Sequence, residues 1–358
     1  MERTNLLSHR NRTFQPAGVS LVELLVAVAI GLFLLAGIVH IFASTKASYR
    51  VQSGAAALQE NGRTALDFLG QSIRQAGHWY GVRGEEVTQD SGLVMTGQGS
   101  CSNDWLANTR MDVQGFDGAA TTSELGNPPG NCIAANNYRA HTDVLVTRYA
   151  SSGNLTEGGP FLRASVGGSG VLGLVPTGGG APPTLGIPPG VGAANFPYHV
   201  DIWYVRNCSL PGGGSNTSEC DAQDDDSHPI PTLVRASLSG TVLTQQPVAE
   251  GIEQLQIEYG RDMDGNGSVD RYDTASTLNA GGLGQVQANW AQVSEVRIAL
   301  VARAQENPGL SGAGLNPNLV LVGDKGIGTS GYTPSTAEQN YLRKQYTQVF
   351  QLRNKSRL

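Results

Sequence analysis

Charge is scarce in this chain, at 15 % of residues, and it leans acidic, with a formal net charge of −6. An acidic balance with no basic stripe excludes nucleic-acid binding as the main business of the molecule. Catalytic signatures are absent too: there is no HExxH, no phosphate-binding loop and no nucleophile elbow. The six histidines fall in separate segments, which supports a non-enzymatic protein. Aromatic residues make up only 6 %, and Trp79, Trp105, Trp203 and Trp290 read as core or loop anchors. Few aromatics with 47 glycines fit a loop-rich β domain. The four cysteines lack zinc-site spacing and read as two disulfides of an exported domain. Proximity pairs Cys101 with Cys132 and Cys208 with Cys220, with three connectivities formally open.

What the chain does have is one long apolar run, from Gly18 to Phe42. At about 1.5 Å per helical residue it can cross a hydrocarbon core of roughly 30 Å. Arg3, Arg10 and Arg12 precede it and hold that end in the cytoplasm, so everything beyond His40 belongs outside the inner membrane. No small-x-small cleavage site follows the run; the small residue, Gly18, stands before it. Glu23 lies one turn inside, where an isolated buried carboxylate would cost several kcal/mol. Cleavage after Gly18 would give Val19 a new α-amine, and in a helical array the Glu23 of one subunit could meet the ammonium of a neighbour.

The stretch Gly18-Val19-Ser20-Leu21-Val22-Glu23 resembles the type III prepilin signal of type IV pilins and type II secretion pseudopilins. The resemblance implies a membrane peptidase that cuts after Gly18 and N-methylates Val19, where the family more often has Phe or Met. It divides the chain into a leader (1–18), a long helix (19–77, membrane-spanning over about 19–42) and a β-rich head (78–358).

Beyond the membrane the helix continues. Val51, Ala55, Leu58, Ala65, Leu66, Leu69 and Ile73 recur mostly at three- and four-residue intervals, and Gly77 is a natural stop. Gly31, Gly37, Gly54, Gly62 and Gly70 lower helix propensity by up to about 1 kcal/mol each, which lipid and packing make tolerable, and they permit local bending or melting on assembly. The head reads as irregular from His78 to Arg139. A strand follows at Asp143–Tyr149, then a Gly/Pro-rich exposed loop from Ser151 to Gly190 and a strand at Tyr198–Val205. Asp224-Asp225-Asp226 reads as a solvated acidic tip. Leu233–Leu238 and Thr241–Leu243 flank a hairpin turn at Ser239-Gly240. Gly251–Tyr259 and Val293–Ala302 alternate as half-buried partners, and a last strand begins at Tyr346. The fold class is therefore α+β, a long N-terminal helix on an antiparallel sheet with long loops.

One motif is ligand-like. Asp262, Asp264, Asn266, Asp270 and Asp273 place side-chain oxygens at relative positions 1, 3, 5, 9 and 12, with Gly267 at 6 and the Ser268 carbonyl at 7, the spacing by which EF-hand loops wrap calcium. No helix flanks it, and Asp273 has a shorter arm than the Glu usual at position 12. A plain polar hairpin turning at Asn266-Gly267 is the competing account.

Glu60-Asn61-Gly62-Arg63, Ile73-Arg74-Gln75-Ala76-Gly77 and the ending Leu352-Arg353-Asn354 resemble segments of PilW-type minor pilins; J-type pseudopilins share the last. That family implies a pilus protein held in the inner membrane before assembly, whose partners are the prepilin peptidase, the assembly platform, other minor pilins, the major pilin and a tip adhesin. Adhesion and twitching motility follow from the same resemblance. A type II secretion J-type pseudopilin and a tethered binding module that never polymerises are the alternatives.

Overall fold

The computed structural model describes residues 18, 20–95, 101–126, 130–165, 168–187, 192–213, 217–305 and 341–354. Its first element is the helix α1, Leu21–Gln75. The chain forms two units, 1–50 and 51–358, and the division falls inside α1.

Among the described residues of the second unit, twelve strands build two sheets. They are β1 (Val87–Gln89), β2 (Val113–Phe116), β3 (Val144–Ala150), β4 (Pro160–Ser165), β5 (Ser169–Leu174) and β6 (Ala193–Arg206), then β7 (Thr232–Ser239), β8 (Val242–Glu250), β9 (Ile252–Arg261), β10 (Arg271–Asp273), β11 (Val293–Arg303) and β12 (Arg343–Gln351). The larger sheet runs β1-β5-β4-β6-β3-β2, with β7 pairing β6 and carrying β8; the smaller runs β10-β9-β11-β12. Pairing is antiparallel except for β1 with β5. The architecture is α+β.

The apolar stripe of α1 explains where the core sits. Leu58, Ala65, Leu66, Leu69 and Ile73 pack with Leu255, Ile257, Val296, Ile298, Leu300 and Phe350 of the smaller sheet. Each large aliphatic side chain removed from water there contributes about 1.5–3 kcal/mol. Two of the helix glycines, Gly62 and Gly70, are close contact points with the smaller sheet. A Cβ at Gly62 would overlap the ring of Tyr346, and one at Gly70 the ring of Phe350. Two glycines eight residues apart thus receive two rings four residues apart on β12. The rises match, at about 12 Å of helix and about 13 Å of strand. Tyr346 Oη also donates to the Leu58 carbonyl at 2.9 Å. At the far end the Asn354 amide donates to the Ala76 carbonyl at 2.8 Å and to those of Gln75 and Arg74 at 3.3 and 3.5 Å, capping carbonyls that the helix leaves unpaired. Gly77, at φ +74°, turns the chain out of the helix; a Cβ there would stand 2.7 Å from Asp112.

Several expectations need correction. The Gly/Pro-rich segment is not wholly an exposed loop, because β4 and β5 form inside it and bury Phe161, Leu162, Ala164 and Leu172. Pro160–Ser165 is short, buried nearly throughout and shows no alternation, and it is flanked by glycines, so no period-2 pattern marks it as a strand. The segment after Gly77 buries Trp79, Leu93, Met95, Trp105 and Leu106 in a second core, although its regular structure is sparse. Strand β9 is buried on both faces: Gln254 and Gln256 are covered by the chain around His141, whose carbonyl accepts the Gln256 amide at 3.0 Å.

Gly70→Ala is expected to destabilise the full chain in detergent by about 1–3 kcal/mol, the cost of overpacking against Phe350 exceeding a helix-propensity gain of about 1 kcal/mol. Gly54→Ala, where the new methyl would meet Ala304 Cβ at an ordinary 3.6 Å, should be neutral or stabilising. Urea unfolding of the two variants reads the opposite signs.

Candidate functional site: an exposed apolar helix and an acidic hairpin

The first half of α1 is apolar and uncovered. Leu21, Phe33 and Phe42 are 75, 81 and 69 % exposed, and no residue of its most apolar window is buried. By length and composition α1 is able to cross a membrane. Gly31 and Gly37 meet nothing within 4 Å, leaving this surface open to lipid or to neighbouring helices. Glu23 stands exposed in the first turn, where a carboxylate also complements the helix dipole. Gly18 is described, whereas Val19 and the leader's arginines lie outside the described residues, and with them the expected cleavage and methylation point.

The acidic motif forms the connection between β9 and β10. Asp262 accepts the backbone N–H groups of Gly265 (2.7 Å), Gly267 (2.8 Å) and Asn266 (3.1 Å), and that of Gly267 leads in holding its carboxyl below the usual range. Gly265 and Gly267, at φ +76° and +86°, supply the left-handed turns that aim these groups inward. Asp264 accepts the Asn266 side-chain amide at 2.9 Å, and Asp270 accepts the Met263 N–H at 2.7 Å. Oxygens of Asp262, Asp264 and Asp270 lie within 4.8 Å of one another. Asn266 Oδ1 accepts the Ser268 N–H at 2.8 Å. Asp273 does not join this group. It sits on β10 opposite Tyr259 and pairs with Arg261 at 3.0 Å and Arg271 at 2.9 Å, so the twelfth position is held in ion pairs.

Both cysteine pairs form as proximity suggested, with Cα–Cα distances of 4.9 Å for Cys101–Cys132 and 5.7 Å for Cys208–Cys220. The acidic run after the second pair is a solvated tip only at Asp226, which is exposed. Asp224 is buried and accepts the N–H groups of Gly213 (2.7 Å), Asp221 (2.8 Å) and Gly212 (2.9 Å). Asp225 accepts those of Ser209 and Ile230, each at 2.8 Å. Together they brace the disulfide loop from inside. Asp225, Asp226 and Ser227 adopt left-handed φ values of 50°, 58° and 61°, a strain that the brace and the disulfide hold in place.

Two buried polar clusters escaped the sequence patterns. Glu253 is fully buried, with Arg343 at 2.5 Å, Arg139 at 3.4 Å and Arg303 at 3.8 Å. Its Oε2 accepts from Arg343 Nε and its backbone carbonyl from Arg139 Nε. Beneath α1, Ser72 Oγ meets Thr147 Oγ1 at 2.6 Å, accepts Trp203 Nε1–H at 3.0 Å and lies 3.4 Å from Asp201, which also accepts the Tyr149 hydroxyl at 3.2 Å. Burial raises the Asp201 carboxyl to about 6, against the opposing pull of Arg235 and of the Tyr149 and Ser72 hydrogen bonds. An aspartate in the middle of the apolar run Tyr198–Val205 was the available signal.

The sheet that receives α1, with β10, β9, β11 and β12 in that order, lies wholly in the C-terminal part of the chain. Residues 219–354 match the PilW family, type IV pilus-assembly protein W. The match spans β7 to β12 and ends on Asn354, the residue that caps α1. A type IV-like pilin from Thermus thermophilus is similar at 11 % identity, covering 84 % of this chain and 97 % of its own, with a TM-score of 0.31. No curated protein matches the chain.

Asp201 predicts a pH dependence. Because its folded-state pKa lies above its unfolded value, the native state binds the extra proton, and stability falls as pH rises from about 4 to about 6. Two pH units at about 1.4 kcal/mol each set an upper bound near 3 kcal/mol. Asp201→Asn should flatten that part of the stability profile and raise the unfolding midpoint at pH 7.

Proposed function

We propose that this chain is a minor pilin of a type IV pilus. The observation that carries it is the bare apolar half of α1 with Glu23 one turn inside, on a chain whose C-terminal part matches the pilus-assembly protein W family. In water such a surface is untenable; in a bilayer, and then among other helices, it is satisfied on all sides. The chain waits in the inner membrane with its head in the periplasm. Prepilin peptidase cuts between Gly18 and Val19 and methylates Val19. Glu23 then pairs with the methylated N-terminus of a neighbouring subunit, each charge offsetting the desolvation of the other.

The head is large and loop-rich, which suits a starting or tip position beside other minor pilins better than repetition along a tightly packed filament. From there it serves adhesion and twitching motility as part of the assembled fibre, with no catalytic role of its own. The test compares the protein's mass and N-terminus in membranes and in sheared pili, with and without the peptidase. We expect N-methylated Val19 as the first residue and sparse incorporation into filaments, both lost without the enzyme. Glu23→Ala should be processed yet excluded from pili. A chain that keeps Met1 in the membrane regardless of peptidase would make it a tethered binding module instead.

For the β9–β10 loop we propose calcium, held by Asp262, Asp264 and Asp270. Three carboxylates this close repel one another, a cost that a cation among them would offset, and the inward N–H groups fix the orientation of Asp262. Affinity should be in the range of extracellular modules, a Kd on the order of 10⁻⁴–10⁻³ M. Calcium at about ten times Kd should then stabilise the chain by about 1.4 kcal/mol. Unfolding in calcium and in chelator, for the parent chain and for Asp262→Asn with Asp264→Asn, reads the effect; equal midpoints for the parent in both conditions would leave a polar hairpin.

A further inference from the structure

The sequence contains two Asn-Gly pairs, Asn61-Gly62 and Asn266-Gly267. In such a pair the side-chain amide is open to attack by the next backbone nitrogen, because glycine puts no side chain in the way and lets the backbone turn freely. The fold gives the two pairs opposite surroundings.

Asn61-Gly62 is closed. It lies inside α1, where a helical ψ holds the Gly62 nitrogen out of line with the Asn61 side-chain carbon. The Asn61 amide donates to the Glu250 carbonyl at 2.9 Å, and the Tyr346 ring packs on buried Gly62. Asn266-Gly267 is open. Asn266, Gly267 and Ser268 are all exposed in the connection between β9 and β10. Asn266 Oδ1 accepts the Ser268 N–H at 2.8 Å, which folds the side-chain carbonyl over the Gly267 peptide between them. Gly267, at φ +86°, has nothing within 4 Å of the place a Cβ would occupy. Its N–H donates to Asp262 Oδ2 at 2.8 Å, a surface bond of little net strength that local opening releases to solvent.

We propose that Asn266 is a site of spontaneous deamidation, through a cyclic imide with Gly267, and that Asn61 is spared. Having given its proton to water, the Gly267 nitrogen forms a bond to Asn266 Cγ. The Cγ–Nδ2 bond breaks, and the side-chain nitrogen leaves as ammonia after taking a proton back from water. A water molecule then opens the ring. Attack at Cγ gives aspartate; attack at the backbone carbonyl carbon gives isoaspartate, whose main chain runs through Cβ. Aspartate sets a fourth carboxylate beside Asp262, Asp264 and Asp270, whose oxygens lie within 4.8 Å of one another, and removes the amide that donates to Asp264 at 2.9 Å. Isoaspartate lengthens the main chain by one carbon and moves Gly267 and Ser268 out of step with Asp262. Either product is a one-way change that accumulates in this loop with the age of the molecule.

Neither the pilus reading nor the calcium reading is needed for this chemistry. The full-length chain is incubated in detergent micelles with chelator at mildly alkaline pH, and both pairs are followed by peptide mass with fragmentation. Cleavage at Arg261 and Arg271 releases a peptide in which Asn266 is the one side-chain amide. Deamidation replaces NH2 by OH and raises its mass, whereas isomerisation at Asp264-Gly265 leaves the mass unchanged. Asn266 should react at least tenfold faster than Asn61 in the folded chain, and in urea the two rates should converge. Asn266 reacting as slowly as Asn61 in micelles overturns the proposal. A tenfold difference that persists in urea assigns the contrast to sequence rather than to the fold, and overturns it too.

Discussion

The docking of the second half of α1 along β12 is the contact on which the head depends. Leu58, Ala65, Leu66, Leu69 and Ile73 supply the buried area, but the close approach is set by Gly62 and Gly70, which leave room for Tyr346 and Phe350. Because eight helical residues and four strand residues advance by nearly the same distance, the two elements stay in step from Leu58 to Ala76. Tyr346 fixes one end through the Leu58 carbonyl, and Asn354 fixes the other by capping the last turn. The C-terminal residues therefore finish what the N-terminal helix begins.

Around that contact the polar groups divide their work. Ser72 carries α1 onto the larger sheet through Thr147, Trp203 and Asp201, and so ties both sheets to the helix. Glu253 binds the start of β9 to Arg343 of β12 and Arg303 of β11, so the smaller sheet is held by charge as well as by backbone pairing. Such a buried network costs desolvation and rewards only good geometry. The two disulfides and the Asp224–Asp225 brace fasten chain that has little regular structure of its own. Among the described residues the apolar half of α1 is left uncovered.

Much of this was legible because certain patterns have few physical solutions. An apolar run of membrane length with one acid inside it, helical spacing that continues beyond, and strict alternation in β9 and β11 each allow one local structure. The disulfides followed from proximity. The illegible parts had patterns with several solutions. Glycine in α1 is equally consistent with a bend and with a ring packed against the backbone. Strands β4 and β5 hide in glycine-rich sequence, and Asp224 and Asp225 look solvated until the N–H groups of residues such as Gly213, Ser209 and Ile230 are placed around them.

The sequence by itself determined the helix, its apolar and amphipathic halves, the lone Glu23 and the clustering of acids over 262–273, because each depends on neighbours within a few tens of residues; proximity favoured the cysteine pairing that the structure has. Only the tertiary structure decided which acids are buried, that Asp273 belongs to Arg261 and Arg271 rather than to the loop, and that Gly62 and Gly70 receive the rings of Tyr346 and Phe350. Burial and partner choice are set by what folds over a residue from elsewhere in the chain. No local spacing encodes that covering, since it arises from packing between segments such as α1 and β12 that lie almost three hundred residues apart.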